Sequence, residues 1–235
     1  RELGNTAGEV GVVVGMAAII GMCLFESGAA ERVVRGFLAV FGEKRAGIAL
    51  LLSSYVLSMP IFFDTFFMLL LPIAMGLALR TGKNYVMYVL AICSAGTMTH
   101  GLMVPHPGPV AMSRYLGVDV GTAMIGGALI GLVPVSLSWF FIKRIDSKLE
   151  LPVRASAGRS FEELRASMER PESELPSFGA AIVPVLLPIV LIALSTTLSA
   201  LPGFKLEHEG VVRRAEFVAN RNIAIAIGAL LSIAL

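Results

Sequence analysis

Apolar residues in this chain fall into long unbroken blocks, with polar residues gathered at the joints between them. Such blocks cover residues 9–25, 45–58, 61–79, 84–98, 121–142, 178–201 and 222–235. Crossing roughly 30 Å of hydrocarbon takes about 20 apolar residues in a helix. Residues 9–25, 121–142 and 178–201 therefore predict spans, while 222–235 stops short of one. That short run, with a chain that opens at Arg1, sets the expectation of a fragment. Between the first two blocks, Val33, Val34, Phe37, Leu38 and Phe41 form a stripe opposite Glu31, Arg32 and Arg35, which predicts an amphipathic helix over 29–41, lying in the interface.

Two regions break the pattern of simple spans. Residues 45–58 are too few to cross comfortably before Met59-Pro60 interrupts them, and 61–79 follow. Two short arms about a proline predict a re-entrant hairpin over 45–79. It would return Arg80 and Lys83 to the side that holds Arg32, Arg35, Lys44 and Arg45, the cytoplasmic side by the positive-inside rule. The second region, 84–116, predicts a broken helix, because Thr97–Pro109 brings two histidines, three prolines and two glycines into apolar sequence. Residues 1–145 thus form one unit, 146–176 a polar cytoplasmic linker with a short surface helix opening at Ser160-Phe-Glu-Glu163, and 177–235 the start of a second half. Pro202–Asn222 reads as an outward polar loop. The Gly11/Gly15 pair predicts close helix contact in the first span.

Composition places this pattern in a membrane. The 235 residues are 56% hydrophobic and 15% charged, with mean hydropathy +0.80; a soluble domain carries about a quarter charged residues. The fold class is an all-α polytopic membrane protein. A net charge of +2 on scattered basic residues excludes a nucleic-acid surface. Cys23 and Cys93 sit in apolar runs as small hydrophobes and point to no disulfide or metal.

The candidate chemistry lies at the two interruptions. Pro107-Gly108-Pro109 is a good helix start, and a half-helix N-terminus inside a membrane attracts anions, which places a substrate carboxylate near Gly108–Ala111; a proline kink satisfied by neighbouring helices is the plainer reading. His100 and His106 are candidates for proton carriage or substrate contact, the plainer reading being a histidine satisfied by a carbonyl of the broken helix; no nearby Cys, Asp or Glu completes a zinc set. Asp64, an acid in apolar surroundings, is functional or paired. Glu26 reads as an interfacial residue at a helix end, and Arg114 either pairs an anion or snorkels outward.

Thr99-His-Gly101 followed by Pro105-His-Pro-Gly-Pro109 resembles the gluconate permease (gluconate:proton symporter) family. Ser27-Gly-Ala-Ala-Glu-Arg32, Phe62-Phe-Asp64 and Leu175-Pro-Ser-Phe-Gly179 are similar to further stretches of that family, collinear over nearly the whole chain. Phe66 stands where the family commonly has glycine, and Val104 where a proline often precedes Pro-His. The resemblance implies a secondary transporter of two inverted repeats, of which this chain holds the first. It implies proton-coupled uptake of gluconate or a related hydroxy-carboxylate across the bacterial inner membrane. No cofactor is implied. The partners would be a sugar acid, protons and the bilayer, with a homo-oligomer open. Ser58, Thr99, His100, Gly101, His106, Gly108 and Pro109 would bind substrate, with Asp64 and His100 coupling protons. The rivals are an intramembrane metal-dependent enzyme using His100 and His106, and a non-transporting membrane component.

Overall fold

The computed structural model describes residues 2–104, 106–149, 151–153, 171–200 and 209–235, and every regular element among them is helical. In chain order these are α1 (Glu2–Glu26), α2 (Ala29–Phe41), α3 (Ala46–Leu57), α4 (Phe63–Thr81), α5 (Tyr85–Leu102), α6 (Pro107–Tyr115), α7 (Val120–Asp146), α8 (Phe178–Ala200), α9 (Glu209–Val218) and α10 (Arg221–Ile233). Four described segments are long and apolar enough to cross a membrane: α4, the α5–α6 stretch Tyr85–Tyr115, α7, and Phe178–Ser199 of α8. Counting α1 and α2 together, as a pair bent by 69°, gives a fifth. The chain is an all-α, multi-pass membrane protein.

The bend between α1 and α2 has a local cause. Gly28 takes φ 73°, a left-handed conformation that costs a residue without Cβ little. Beside it, the Ser27 hydroxyl donates at 2.6 Å to the Cys23 carbonyl, which also receives the Ser27 N–H at 3.0 Å. The amphipathic stripe of α2 turns inward as its spacing predicts. Val33 and Val34 are fully buried, and the helix packs on α3 and α8.

The chain departs from the expected loop over Pro202–Asn222, since residues 209–218 form α9. Polar content alone argued for a loop, yet the spacing of apolar and charged residues in Glu-Gly-Val-Val-Arg-Arg-Ala-Glu-Phe-Val is that of an amphipathic helix. The predicted surface helix at Ser160–Glu163 lies outside the described residues.

α5 is the central helix, packed against α3, α4 and α7. In a bundle whose surroundings are as apolar as its core, helices associate through small residues and hydrogen bonds. Both devices hold α7. Tyr55 of α3 donates its hydroxyl to the Ala128 carbonyl at 2.6 Å, and Ser94 of α5 bonds Ser138 at 2.6 Å. A Cβ at Gly131 would lie 2.6 Å from the Tyr55 hydroxyl, and one at Gly127 would overlap the Leu102 carbonyl. The close contact therefore runs along Gly127/Gly131. The Gly11/Gly15 pair, expected to play this part, faces open space: a Cβ at either would meet nothing within 4 Å among the described residues. Away from α5, α7 presents Leu129, Ile130, Val133, Leu137, Phe140 and Phe141 as an exposed apolar face of the kind lipid solvates.

Polar ties gather at one end of the bundle. Arg32 pairs with Glu172 at 3.2 Å and Arg80 pairs with Glu43. The Met87 N–H, an orphan donor in the first turn of α5, is received by Asp146 at the end of α7 at 2.9 Å. The Glu43–Arg80 pair brings the approach to α3 and the end of α4 together, although the arms differ in length, about 18 Å against about 28 Å at 1.5 Å per residue.

Candidate functional site

The α3–α4 tip and the α5–α6 break, about 40 residues apart in sequence, meet inside the bundle. α3 stops at Leu57 and α4 starts at Phe63, with Pro60 between them unable to continue a helical ladder. α5 stops at Leu102, where Met103 turns extended at φ −103° and ψ 134°, and α6 restarts at Pro107 with His106 as its N-cap. Pro107 at the first helical position is pre-set for the turn and has no N–H to orphan.

Two buried ties join tip to break. The Ser58 and Thr99 hydroxyls lie 2.7 Å apart, and both residues are almost wholly buried. One hydroxyl donates to the other, and the hydroxyl that accepts is free to donate to a carbonyl of its own segment: Tyr55 at 3.2 Å for Ser58, or Gly96 at 2.9 Å for Thr99. The second tie is His106, only 3% exposed, whose Nδ1 lies 3.1 Å from the Met103 carbonyl and whose Nε2 lies 3.3 Å from the Ile61 carbonyl. Ring contacts complete the junction. Phe62 meets His100 and His106 edge-on at 6.1 and 5.9 Å, and the two imidazoles stand 4.8 Å apart between centroids.

Below the junction, Gly96 seats two aromatic rings of α4. A Cβ there would come to 2.8 Å from both Phe63 and Phe66. Phe66, the departure from the resembled pattern, is fully buried in this seat.

Around the ties the surface is open. His100, Gly101 and Gly108 are exposed, and a Cβ added at either glycine would meet nothing within 4 Å. Pro109 is half-buried beside Gly108. Asp64 is exposed in the first turn of α4, where a carboxylate also suits the positive end of the helix dipole. The structure thus brings Ser58, Thr99, His100 and His106 into contact and leaves Gly101 and Gly108 free beside them. It attaches Asp64 only through the chain, two residues past Phe62.

The N-terminus of α6 offers fewer donors than the sequence pattern promised. Pro107 and Pro109 have none, and Val110 already donates to the His106 carbonyl at 3.1 Å. Gly108 supplies the one N–H of this turn for which no described carbonyl serves as acceptor. Among the described residues, no three His, Cys, Asp or Glu side chains stand together to hold a metal ion.

Sequence reasoning included Phe62 in the Phe62-Phe-Asp64 motif without foreseeing its ring contacts, and it missed Gly127 at this junction. Phe62 gave no chemical signal, being one of four phenylalanines around Asp64. Gly127 was legible in the Gly127/Gly131 spacing within residues 121–142.

Comparison with known proteins bears on what this junction belongs to. The chain is 33% identical over 197 residues to an uncharacterized permease of Haemophilus influenzae, covering 82% of this chain and 40% of that protein. It is 29% identical over 194 residues to a gluconate permease of Pseudomonas aeruginosa, covering 82% and 42%. Against the Gnt-II system L-idonate transporter of Escherichia coli it is 28% identical over 232 residues, covering 98% and 50%. The chain thus spans about half the length of the curated relatives it matches. No solved structure matches it. The profile of the GntP family permease matches residues 1–235, the whole chain, so the chain belongs to the GntP permease family.

Proposed function

We propose that this chain forms part of a secondary transporter that takes up gluconate or a related small hydroxy-carboxylate together with protons, by alternating access. The observation that carries this reading is the junction itself: a tip and a helix break, tied by Ser58–Thr99 and His106, beside an exposed patch of His100, Gly101 and Gly108. Non-helical backbone at membrane depth is stable only when buried in protein or lining a cavity, and the ties of this junction are buried. A carboxylate is held by the Gly108 N–H at the positive end of α6, and His100 reaches its hydroxyls. Gluconate and L-idonate, the acids named for two relatives, carry both kinds of group. Residues 1–145 then act as the first of two inverted repeats. Counterflow of labelled gluconate into proteoliposomes tests the reading, since exchange across a sealed bilayer is expected of a transporter and a protein with no exchange of any sugar acid is not one.

In this account α3 and α4 form a re-entrant hairpin entered from the cytoplasm. The Glu43–Arg80 pair at their ends and the cluster of Arg32, Lys44, Arg80 and Lys83 support it. Cysteines at the exposed positions Lys44 and Lys83 are expected to react with an impermeant maleimide from the same face of the membrane. Labelling from opposite faces would make α3–α4 a crossing segment.

Asp64 and His100 are the coupling groups that the sequence nominates. If Asp64 takes part in coupling, Asp64→Asn loses accumulation driven by a pH gradient. Unchanged uptake across the pH range would remove Asp64 from the coupling.

A further inference from the structure

His106 faces two hydrogen-bond acceptors and no donor among its described partners. A backbone carbonyl only accepts, so a ring nitrogen beside one makes a bond only when it carries a hydrogen. Neutral imidazole carries one such hydrogen. The ring therefore serves either Ile61 or Met103, and its other nitrogen turns a lone pair toward a carbonyl oxygen. The imidazolium serves both. The two acceptors are not equivalent: the Met103 carbonyl already receives the His106 backbone N–H at 3.1 Å, while no other described donor reaches the carbonyl of fully buried Ile61. A buried carbonyl without a donor is costly, so the state of this ring bears directly on whether the tip stays against the break.

We propose that His106 carries the coupled proton, and that its imidazolium clamps the α3–α4 tip to the α5–α6 break. The inference rests on the transport reading above and adds the residue and the device. Charged and histidine groups on the elements around it are few: His100 on α5, Asp64 on α4 and Arg114 near the far end of α6. Of these, His100 is in ring contact with it. Two imidazoles with centroids 4.8 Å apart disfavour a double positive charge, so the pair takes one proton. Exposed His100 gives the buried ring its route to water. A carboxylate arriving at Gly108 stabilises the imidazolium, and by linkage the imidazolium tightens the carboxylate. The proton passes from outside water, through His100, onto the His106 ring nitrogen that lacks a hydrogen. It returns to water on the inner side when the anion leaves. Loss of that proton leaves one hydrogen for two carbonyls, and the Nδ1–H tautomer keeps only Met103 and releases Ile61, the one bond of the ring that crosses from break to tip.

The test is calorimetry of gluconate binding to the purified, intact protein, in buffers of different ionisation enthalpy near pH 7. The apparent enthalpy is expected to rise with buffer ionisation enthalpy at a slope of about one proton per substrate. In His106→Gln the slope is expected to fall to near zero, with binding weaker by about tenfold or more. A His106→Gln protein that binds with the wild-type slope would overturn the proposal. Should that variant fail to fold, nitrogen NMR of the histidine rings in the wild-type protein decides: both His106 nitrogens protonated with gluconate bound, or one neutral tautomer with and without it, which would overturn the clamp. Wild-type protein that binds no sugar acid would instead remove the transport reading.

Discussion

Gly127→Ala and Gly126→Ala are expected to have opposite effects on stability, although they are neighbours and the same chemical change. In a helix interior, replacing glycine by alanine is worth up to about 1 kcal/mol through backbone entropy. At Gly126, where a Cβ meets nothing within 4 Å, that gain should appear alone and raise Tm slightly. At Gly127 the new Cβ would overlap the Leu102 carbonyl, and backbone cannot step aside as a side chain can. Overpacking of this kind costs about 1–3 kcal/mol, a fall of several degrees for a chain this size. The effect on uptake should be larger than the effect on Tm, because Leu102 is the last residue of α5 and sets where Met103 and His106 stand. Equal Tm shifts for the two variants would mean that α7 does not press on the break as closely as Gly127 indicates.

Gly108→Val is expected to leave Tm within about a degree or two and to weaken gluconate binding by about 10- to 100-fold. The site is open, so valine fits without displacing a described atom. Its branched side chain nonetheless covers the Gly108 N–H, the donor of the α6 N-terminus for which no described carbonyl serves as acceptor. A hydrogen bond to a charged group contributes about 1.5–3 kcal/mol, and each 1.4 kcal/mol is tenfold in affinity. Side-chain changes at exposed Met112, one turn further on, should be mild by comparison. If Gly108→Val bound gluconate as tightly as the unaltered protein, the carboxylate would have to sit elsewhere.

How far the sequence revealed this arrangement depends on which physical signal marked each part. The α2 stripe and the proline interruptions at 60 and 107–109 act locally, through φ, a missing N–H or side-chain periodicity, and the helices break where these residues require. α9 was hidden because charged residues lower apolar content without lowering helix propensity. The choice between Gly11/Gly15 and Gly127/Gly131 was hidden for another reason: two pairs with the same spacing differ only in what lies opposite, which is a tertiary property. For the same reason the histidine motif could be recognised while its geometry could not. Nothing in Thr99-His-Gly or His-Pro-Gly-Pro states that His106 lies between carbonyls from two different segments. The donor count at α6 was legible, since two of its first three residues are prolines, and it narrows an expected row of N–H groups to Gly108.

The central claim, that the tip–break junction is the substrate site, is tested most directly by a structure of the intact protein with gluconate bound. The account predicts a carboxylate oxygen within about 3 Å of the Gly108 nitrogen and a substrate hydroxyl at His100. A bound substrate whose carboxylate lies beyond one hydrogen-bond shell of residues 106–111 would contradict it.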